Sequence, residues 1–566
     1  MARGCRESTP TGPAGSPEVV IVGAGFAGIA AGVKLCNAGI ETFTIIESSA
    51  GVGGTWWDNR YPGVEVDVQS HVYSYSFKHY DWSRTHAGQP ELQRYLDEIV
   101  DEYALRPHLR LNTTVQAAAW DERTHQWTVT VGSGERLTCH MVISAVGFLN
   151  LPRYPDWPGL DEFAGPKFHT ARWEHDHDLA DKRVGVVGTG STACQVVPEV
   201  AKIAAKVYVF QRDPGWIMPK GERDFEPEER AALKRPLNRW RYRLRNLWLL
   251  EKGLLGGAVY RPGTKVNHAR EQMARAYIDH EFRHHPDLKE VVTPTYPYPG
   301  KRPIFASGFY PALKRPNVQL VPRAVEKVTP RGVIDVDGVE HEIDVLVLST
   351  GFHAAEYLPR LRVVGRDSIE LHEQWDGEPY AFLGMTVPGF PNFVMMYGPN
   401  TNGGEIVANL ERQAEYATRV VKRLRDEDVT AIEVRPGACR RYNTWLQQRM
   451  LGTSWTTTHT YFVSASGRVV TQWPYGAVLY GLLTKVFGRV VESSRNLDPG
   501  GTKSPCLQPG DRRSADTSPA EAGLVQDGAG PGRDQMPTPW PRRVARDAAV
   551  LLRAPRAARR HTRSAG

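Results

Sequence analysis

Cysteine is scarce. The 566 residues hold six, Cys5, Cys36, Cys139, Cys194, Cys439 and Cys506, and no two of them form a CxxC or CxxxxC pair or a zinc spacing. A disulfide-dense scaffold, a structural zinc site and a disulfide reductase with a redox cysteine pair are therefore excluded. Long apolar runs are missing too: no stretch reaches the roughly 18 residues that a spanning helix needs. The opening MARGCRESTPTGPAGSPEVV lacks the apolar core of a secretory signal, so a cytoplasmic location is the expectation. The two histidines of the EHDHD stretch, His175 and His177, have no third convergent ligand, and no metal is expected.

Charge is also short where it could matter. The formal net charge of +7 would suit a nucleic acid or a membrane surface. However, residues 495–566 hold 13 basic and 7 acidic side chains, residues 1–17 are net +1, and residues 18–494 hold 55 of each sign. The body of the chain is neutral, and no nucleic-acid partner is expected.

Alternating strand and helix patterns fill this neutral body. Apolar strands at 18–22, 183–187 and 345–349 each run into a glycine-bearing turn, at spacings of roughly 160 residues. The expected fold is α/β. It has two Rossmann-like dinucleotide-binding domains, one inserted in the other, with a helical subdomain and a disordered C-terminal tail. The boundaries read as a flexible leader at 1–17, a first domain at 18–155, a second at 156–340 with a helical insertion at about 215–300, a return to the first at 341–494, and a Pro/Gly/Ala/Arg-rich basic tail at 495–566. The insertion contains RWRYRLRNLWLLEKGLLGG, a basic amphipathic stretch. It reads as a helical layer whose arginine stems cover apolar surface, rather than as a membrane contact.

Two GxGxxG-type turns carry different second signals. In Gly23-Ala24-Gly25-Phe26-Ala27-Gly28, between a strand and a helix, the first glycine permits the tight turn, the second lets amides approach a pyrophosphate, and the third allows close helix packing. Glu47 ends the next strand and can bind ribose hydroxyls, as in the adenosine half of FAD or NAD. In Gly188-Thr189-Gly190-Ser191-Thr192-Ala193 the following strand ends in Gln211-Arg212. A guanidinium there suits a 2′-phosphate, which favours NADPH.

Two further motifs narrow the chemistry. Phe163, Gly165, His169 and Trp173 fit FxGxxxHxxxW, and Gly53-Gly54-Thr55-Trp56 through Tyr61-Pro62-Gly63 to Asp67 fit [A/G]GxWxxxx[F/Y]P[G/M]xxxD. With these, residues 18–494 resemble the type I Baeyer–Villiger monooxygenases of the class B flavin-dependent group. The resemblance also covers Lys301-Arg302, Phe309-Tyr310-Pro311, Thr350-Gly351-Phe352 and Gly398-Pro399-Asn400-Thr401. Glu174 departs from it, standing where the family usually has Pro or Asp.

The resemblance implies FAD and NADPH as cofactors, and a small-molecule ketone and O2 as substrates. Reduced flavin would form a C4a-peroxyflavin, and one oxygen atom would be inserted beside the carbonyl to give an ester or lactone. It implies Arg302 as the active-site arginine, Asp67 as its acid partner, Lys301 as a contact of the NADP 2′-phosphate, and Thr55, Trp56 and Tyr73 as flavin contacts. Trp455 is matched to an NADP-touching tryptophan on a mobile loop. His169 and Trp173 fall on an interdomain linker, with a positioning role. A flavin-containing N- or S-monooxygenase stays open as an alternative, and no residue pattern encodes which ketone would be used.

Overall fold

The computed structural model describes residues 18–487 and the backbone of the strand Glu492–Arg495. The leader and the basic tail lie outside the described residues. Two parallel five-stranded sheets organise the rest. In the first, the order is Phe393–Met395, Met141–Ser144, Val19–Val22, Phe43–Ile46 and Leu109–Arg110. In the second it is Val318–Val321, Lys206–Phe210, Arg183–Val187, Val345–Leu348 and Lys167–His169. Three central strands of the first sheet, Val19–Val22, Phe43–Ile46 and Met141–Ser144, are buried along their whole length. That is why these segments read as unbroken apolar runs instead of alternating ones. Helices Phe26–Asn37 and Ile406–Asp426 pack together beside the first sheet.

The second sheet is inserted in the first, as expected. One boundary differs. Strand Val345–Leu348 pairs with Arg183–Val187, so the chain leaves the second sheet after residue 348, not at 340. The apolar run at 345–348 is equally compatible with either sheet, and only pairing decides between them.

An antiparallel unit, Val115–Asp121, Gln126–Val131 and Arg136–Cys139, flanks the first sheet, and the meander Val325–Thr329, Gly332–Asp335 and Glu340–Glu342 flanks the second. Helices Pro227–Leu233, Pro236–Leu254, Lys265–Glu281 and Pro286–Val292 form the insertion. Its one strand pair, Ile217–Met218 with Ile304–Phe305, was not legible as a strand pattern. Among the described residues no helix is long and apolar enough to cross a membrane, and no cluster of side chains could hold a metal ion.

Candidate active site

Strand Val19–Val22 turns at Gly23, whose φ of +104° favours glycine, and Gly25 begins helix Phe26–Asn37 with no side chain capping its amides. At Gly28 a Cβ would stand 1.8 Å from the Gly23 carbonyl oxygen, so only glycine lets helix and turn close. Glu47 is buried beside this turn. Its carboxylate accepts hydrogen bonds from the amides of Ala24 at 2.8 Å and Ser49 at 2.7 Å. These bonds fix one carboxylate next to a bare helix N-terminus.

The motif from Gly53 to Asp67 spans both folds. At its start, Gly53 pairs with Gly25 and its amide donates to the Ala24 carbonyl at 2.9 Å. A Cβ on Gly54 would come within 3.0 Å of the Gly25 Cα. Thr55 is exposed, and Trp56 is buried with its indole N–H donating to the Tyr73 hydroxyl at 3.2 Å. Burial, partly offset by that hydrogen bond, pushes the Tyr73 phenol up to about 12. At its far end the motif packs on the second fold. The Tyr61 hydroxyl donates to Gln195 Oε1 at 3.0 Å, and Gln195 Nε2 donates back to the Glu65 carbonyl at 2.9 Å. Gln195 lies on helix Ser191–Val200, the helix of the second fingerprint.

In that second fingerprint Gly188 has φ +112°, and a Cβ there would lie 2.4 Å from the Ser349 carbonyl oxygen. Gly190 differs, because a Cβ there would meet nothing within 4 Å. The mouth of this helix, with Ser191 and Thr192 partly exposed, faces open space, while Thr189 is buried. Beyond strand Lys206–Phe210, Arg212 and Lys301 converge on one carboxylate. Asp213 Oδ2 is 3.2 Å from Arg212 Nε and 2.9 Å from Lys301 Nζ. Burial opposes ionisation of Asp213, but the two cations outweigh it and hold its carboxyl below the usual range. The sequence reading of this strand end stopped at Arg212 and missed the acid one residue on.

Arg302 points the other way from its neighbour. Its Nη2 donates to Asp67 Oδ2 at 2.5 Å, and both side chains keep partial exposure. Burial disfavours the Asp67 carboxylate. The Arg302 charge and hydrogen bond overcome this, aided by Lys220, and Asp67 stays below its ordinary range. The guanidinium is held charged above its ordinary value, first by Asp67. A second ion pair supports the first: Lys220 is almost fully buried and lies 2.7 Å from Glu65 Oε1. Neither Lys220 nor Glu65 was singled out in the sequence, because neither sits at a fixed motif position.

The two linkers between the sheets are tied by His169. The Gly351 carbonyl accepts from the Arg153 amide at 2.8 Å and from His169 Nε2 at 3.0 Å. His169 Nδ1 accepts from the Ala171 amide at 3.1 Å, which places the ring proton on Nε2. The side chain is fully buried, and burial, with Arg172 adding to it, drives its pKa down to about 4 despite the Gly351 carbonyl. A neutral, doubly bonded imidazole is a clamp. Gly165 belongs to the same junction, since a Cβ there would lie 2.2 Å from the Asp344 carbonyl oxygen. Phe163 is buried under the meander, and Trp173 packs edge-on to Phe168 at 5.0 Å between centroids.

Trp455 is placed differently from the rest. It is 2% exposed, with its ring centroid 4.2 Å from that of Tyr260 and 6.4 Å from that of Phe462. In this conformation its surroundings are protein, not the open mouth at Gly190. The cause is local: Ser454 Oγ donates to the Tyr298 carbonyl at 2.7 Å and draws the turn onto the segment that leads into Lys301.

A turn-and-helix site on each sheet, one motif bridging them, and an arginine–aspartate pair between them define a two-dinucleotide oxidoreductase. The comparisons agree. The family described as pyridine nucleotide-disulphide oxidoreductase matches residues 20–238. A Baeyer–Villiger monooxygenase of Streptomyces coelicolor is 38% identical over 81% of this chain and 88% of its own length. One from Pseudomonas aeruginosa is 37% identical over 83% and 90%. A cyclohexanone monooxygenase from Rhodococcus sp. Phi1 bound to NADP+ superposes with a TM-score of 0.76 at 31% identity, covering 85% of this chain and all of that one. OTEMO in complex with FAD and NADP gives 0.77 at 28%, with the same coverages. The chain belongs to the Baeyer–Villiger monooxygenase family.

Proposed function

We propose that the chain is an FAD- and NADPH-dependent Baeyer–Villiger monooxygenase that inserts one oxygen atom of O2 beside a ketone carbonyl. The residues present fit both cofactors. Bare amides at Gly25 and a cradle shaped by Gly23, Gly28 and Gly54 suit the FAD pyrophosphate. Glu47 suits the adenosine ribose, and Thr55, Trp56 and Tyr73 suit the flavin. The open face at Gly190 suits the NADPH pyrophosphate, with Gly188, Thr189, Ser191 and Thr192 around it. Arg212 and Lys301, bridged by Asp213, suit its 2′-phosphate. FAD, reduced by NADPH, supplies the oxygen-activating chemistry when bound.

The protein's own residues do the rest. Arg302 stabilises the negative charge that develops on the ketone oxygen, and a fixed, permanently charged donor does this without reorganising. Asp67 aims Arg302. Lys301 is adjacent in sequence and, through Asp213, belongs to the 2′-phosphate end of the NADPH site. His169 stays neutral and holds the linkers. It takes no part in proton transfer.

The observation that carries this reading is the opposed placement of Lys301 on Asp213 and Arg302 on Asp67. The deciding experiment supplies purified enzyme with NADPH, 18O2 and a panel of cyclic, linear and aryl ketones, with sulfides and amines as comparators. Esters or lactones carrying one 18O are expected. Oxidation of sulfides or amines with no ketone converted would replace this reading with heteroatom oxygenation.

A further inference from the structure

Helix Pro236–Leu254 is inside out. Its inner face is polar. The Tyr242 hydroxyl donates to Gln69 Oε1 at 2.8 Å, and Arg243 donates to the carbonyls of His71 and Ser74 at 2.9 and 2.8 Å. Its outer face is apolar. Leu237, Trp240, Leu244 and Trp248 are 49–64% exposed and, at about 100° per residue, fall within an arc of about 80°. Arg241, Arg245 and Lys252 are exposed along one edge of this stripe, while Lys234, just before the helix, pairs with the exposed Asp81 at 3.2 Å.

The stripe continues onto a second helix. Glu251 accepts from the amides of Ala477 at 2.7 Å and Val478 at 3.4 Å, which joins Pro236–Leu254 to the start of Ala477–Phe487. On that helix Val478, Leu482 and Val486, spaced by four residues, are 43–66% exposed, and Lys485 stands beside them. Seven apolar side chains on two joined helices, two of them tryptophans, exceed the scatter of single exposed residues usual on a soluble surface.

We infer that this face docks on the surface of an anionic lipid bilayer. Tryptophans and leucines of the outer face enter the interfacial region while the basic row meets anionic headgroups. The helix lies in the plane of the interface and does not span it. Charge argues against a second copy as the occupant, because a two-fold pairing of this face would set two basic rows against each other.

The test is co-sedimentation of the full-length, FAD-loaded enzyme with vesicles of phosphatidylcholine alone or with 30% phosphatidylglycerol. Binding to the anionic vesicles is expected, weakening at least tenfold as salt rises from 0.05 to 0.5 M. Trp240→Ser with Trp248→Ser should abolish it, and Arg241→Gln with Arg245→Gln should weaken it several-fold. Both variants should keep the flavin spectrum and NADPH oxidation rate of the wild type, as neither touches the site described above. Three results would overturn the proposal: no sedimentation of wild type at low salt, binding that survives the tryptophan pair but is lost on removing residues 496–566, or a dimer in light scattering that the tryptophan pair dissociates without any vesicle binding.

Discussion

Lys301 and Arg302 are neighbours in sequence that contact different carboxylates. One reaches Asp213 at 2.9 Å and the other Asp67 at 2.5 Å. The first contact lies just beyond strand Lys206–Phe210 of the second sheet, and the second lies in the motif that starts on the first sheet's glycine turn. A single dipeptide therefore joins the proposed NADPH 2′-phosphate site to the proposed flavin site, and its two halves should be separable by mutation.

Lys301→Ala and Arg212→Ala should each raise the KM for NADPH about tenfold or more with kcat little changed, consistent with about 1.5–3 kcal/mol for a charge-assisted contact. The KM for NADH should hardly move, so the preference for NADPH falls. Steady-state kinetics with both nucleotides checks this, and an equal loss with NADH would remove the 2′-phosphate assignment.

The two glycines of the second turn should part company. Gly188→Ala forces a Cβ to 2.4 Å from a backbone oxygen at positive φ, and should lower the melting temperature clearly. Gly190→Ala meets no protein atom within 4 Å. Its melting temperature should match wild type while the KM for NADPH rises, because the added methyl occupies the nucleotide's space. Thermal unfolding and NADPH titration together distinguish the cases.

Buried histidines should make the fold acid-sensitive. Burial lowers His169, His71 and His86 each to about 4. Unfolded, each binds a proton near its usual 6.5, so the unfolded state takes up more protons between these values. Stability is complete above about pH 6.5 and is lost as pH falls toward 4. His169→Gln should flatten that slope while leaving no missing ionisation in the pH–rate profile above pH 6. An activity pKa that disappears with His169 would show that it titrates in turnover after all.

The sites differ in how far they could be read from sequence. Gly28 is dictated by a collision with the nearby Gly23 carbonyl, Gly23 and Gly188 by the positive φ of their turns, and Glu47 by its place at a strand end, so a short pattern suffices to find them. The meeting of Arg302 with Asp67 is 235 positions apart and came only through family resemblance. Asp213, Lys220 and Glu65 belong to no fixed motif, and their roles appear only when ion pairs form in space. Strand Val345–Leu348 was legible as a strand but not as a member of the second sheet. Trp455 was matched on four residues of a divergent loop, and a hydrogen bond from Ser454 to the Tyr298 carbonyl draws that loop inward. The amphipathic helix was visible as a pattern, but which face looks outward depends on Arg243 and Tyr242 finding partners beneath it.

Arg302 carries the central claim, and Arg302→Ala tests it most directly. Anaerobic stopped-flow reduction of the bound flavin by NADPH should proceed within a few-fold of wild type. Aerobic turnover with an accepted ketone should yield at least a hundredfold less ester, in keeping with about 3 kcal/mol for one lost oxyanion donor. Ester formation near the wild-type rate in that variant would contradict the account.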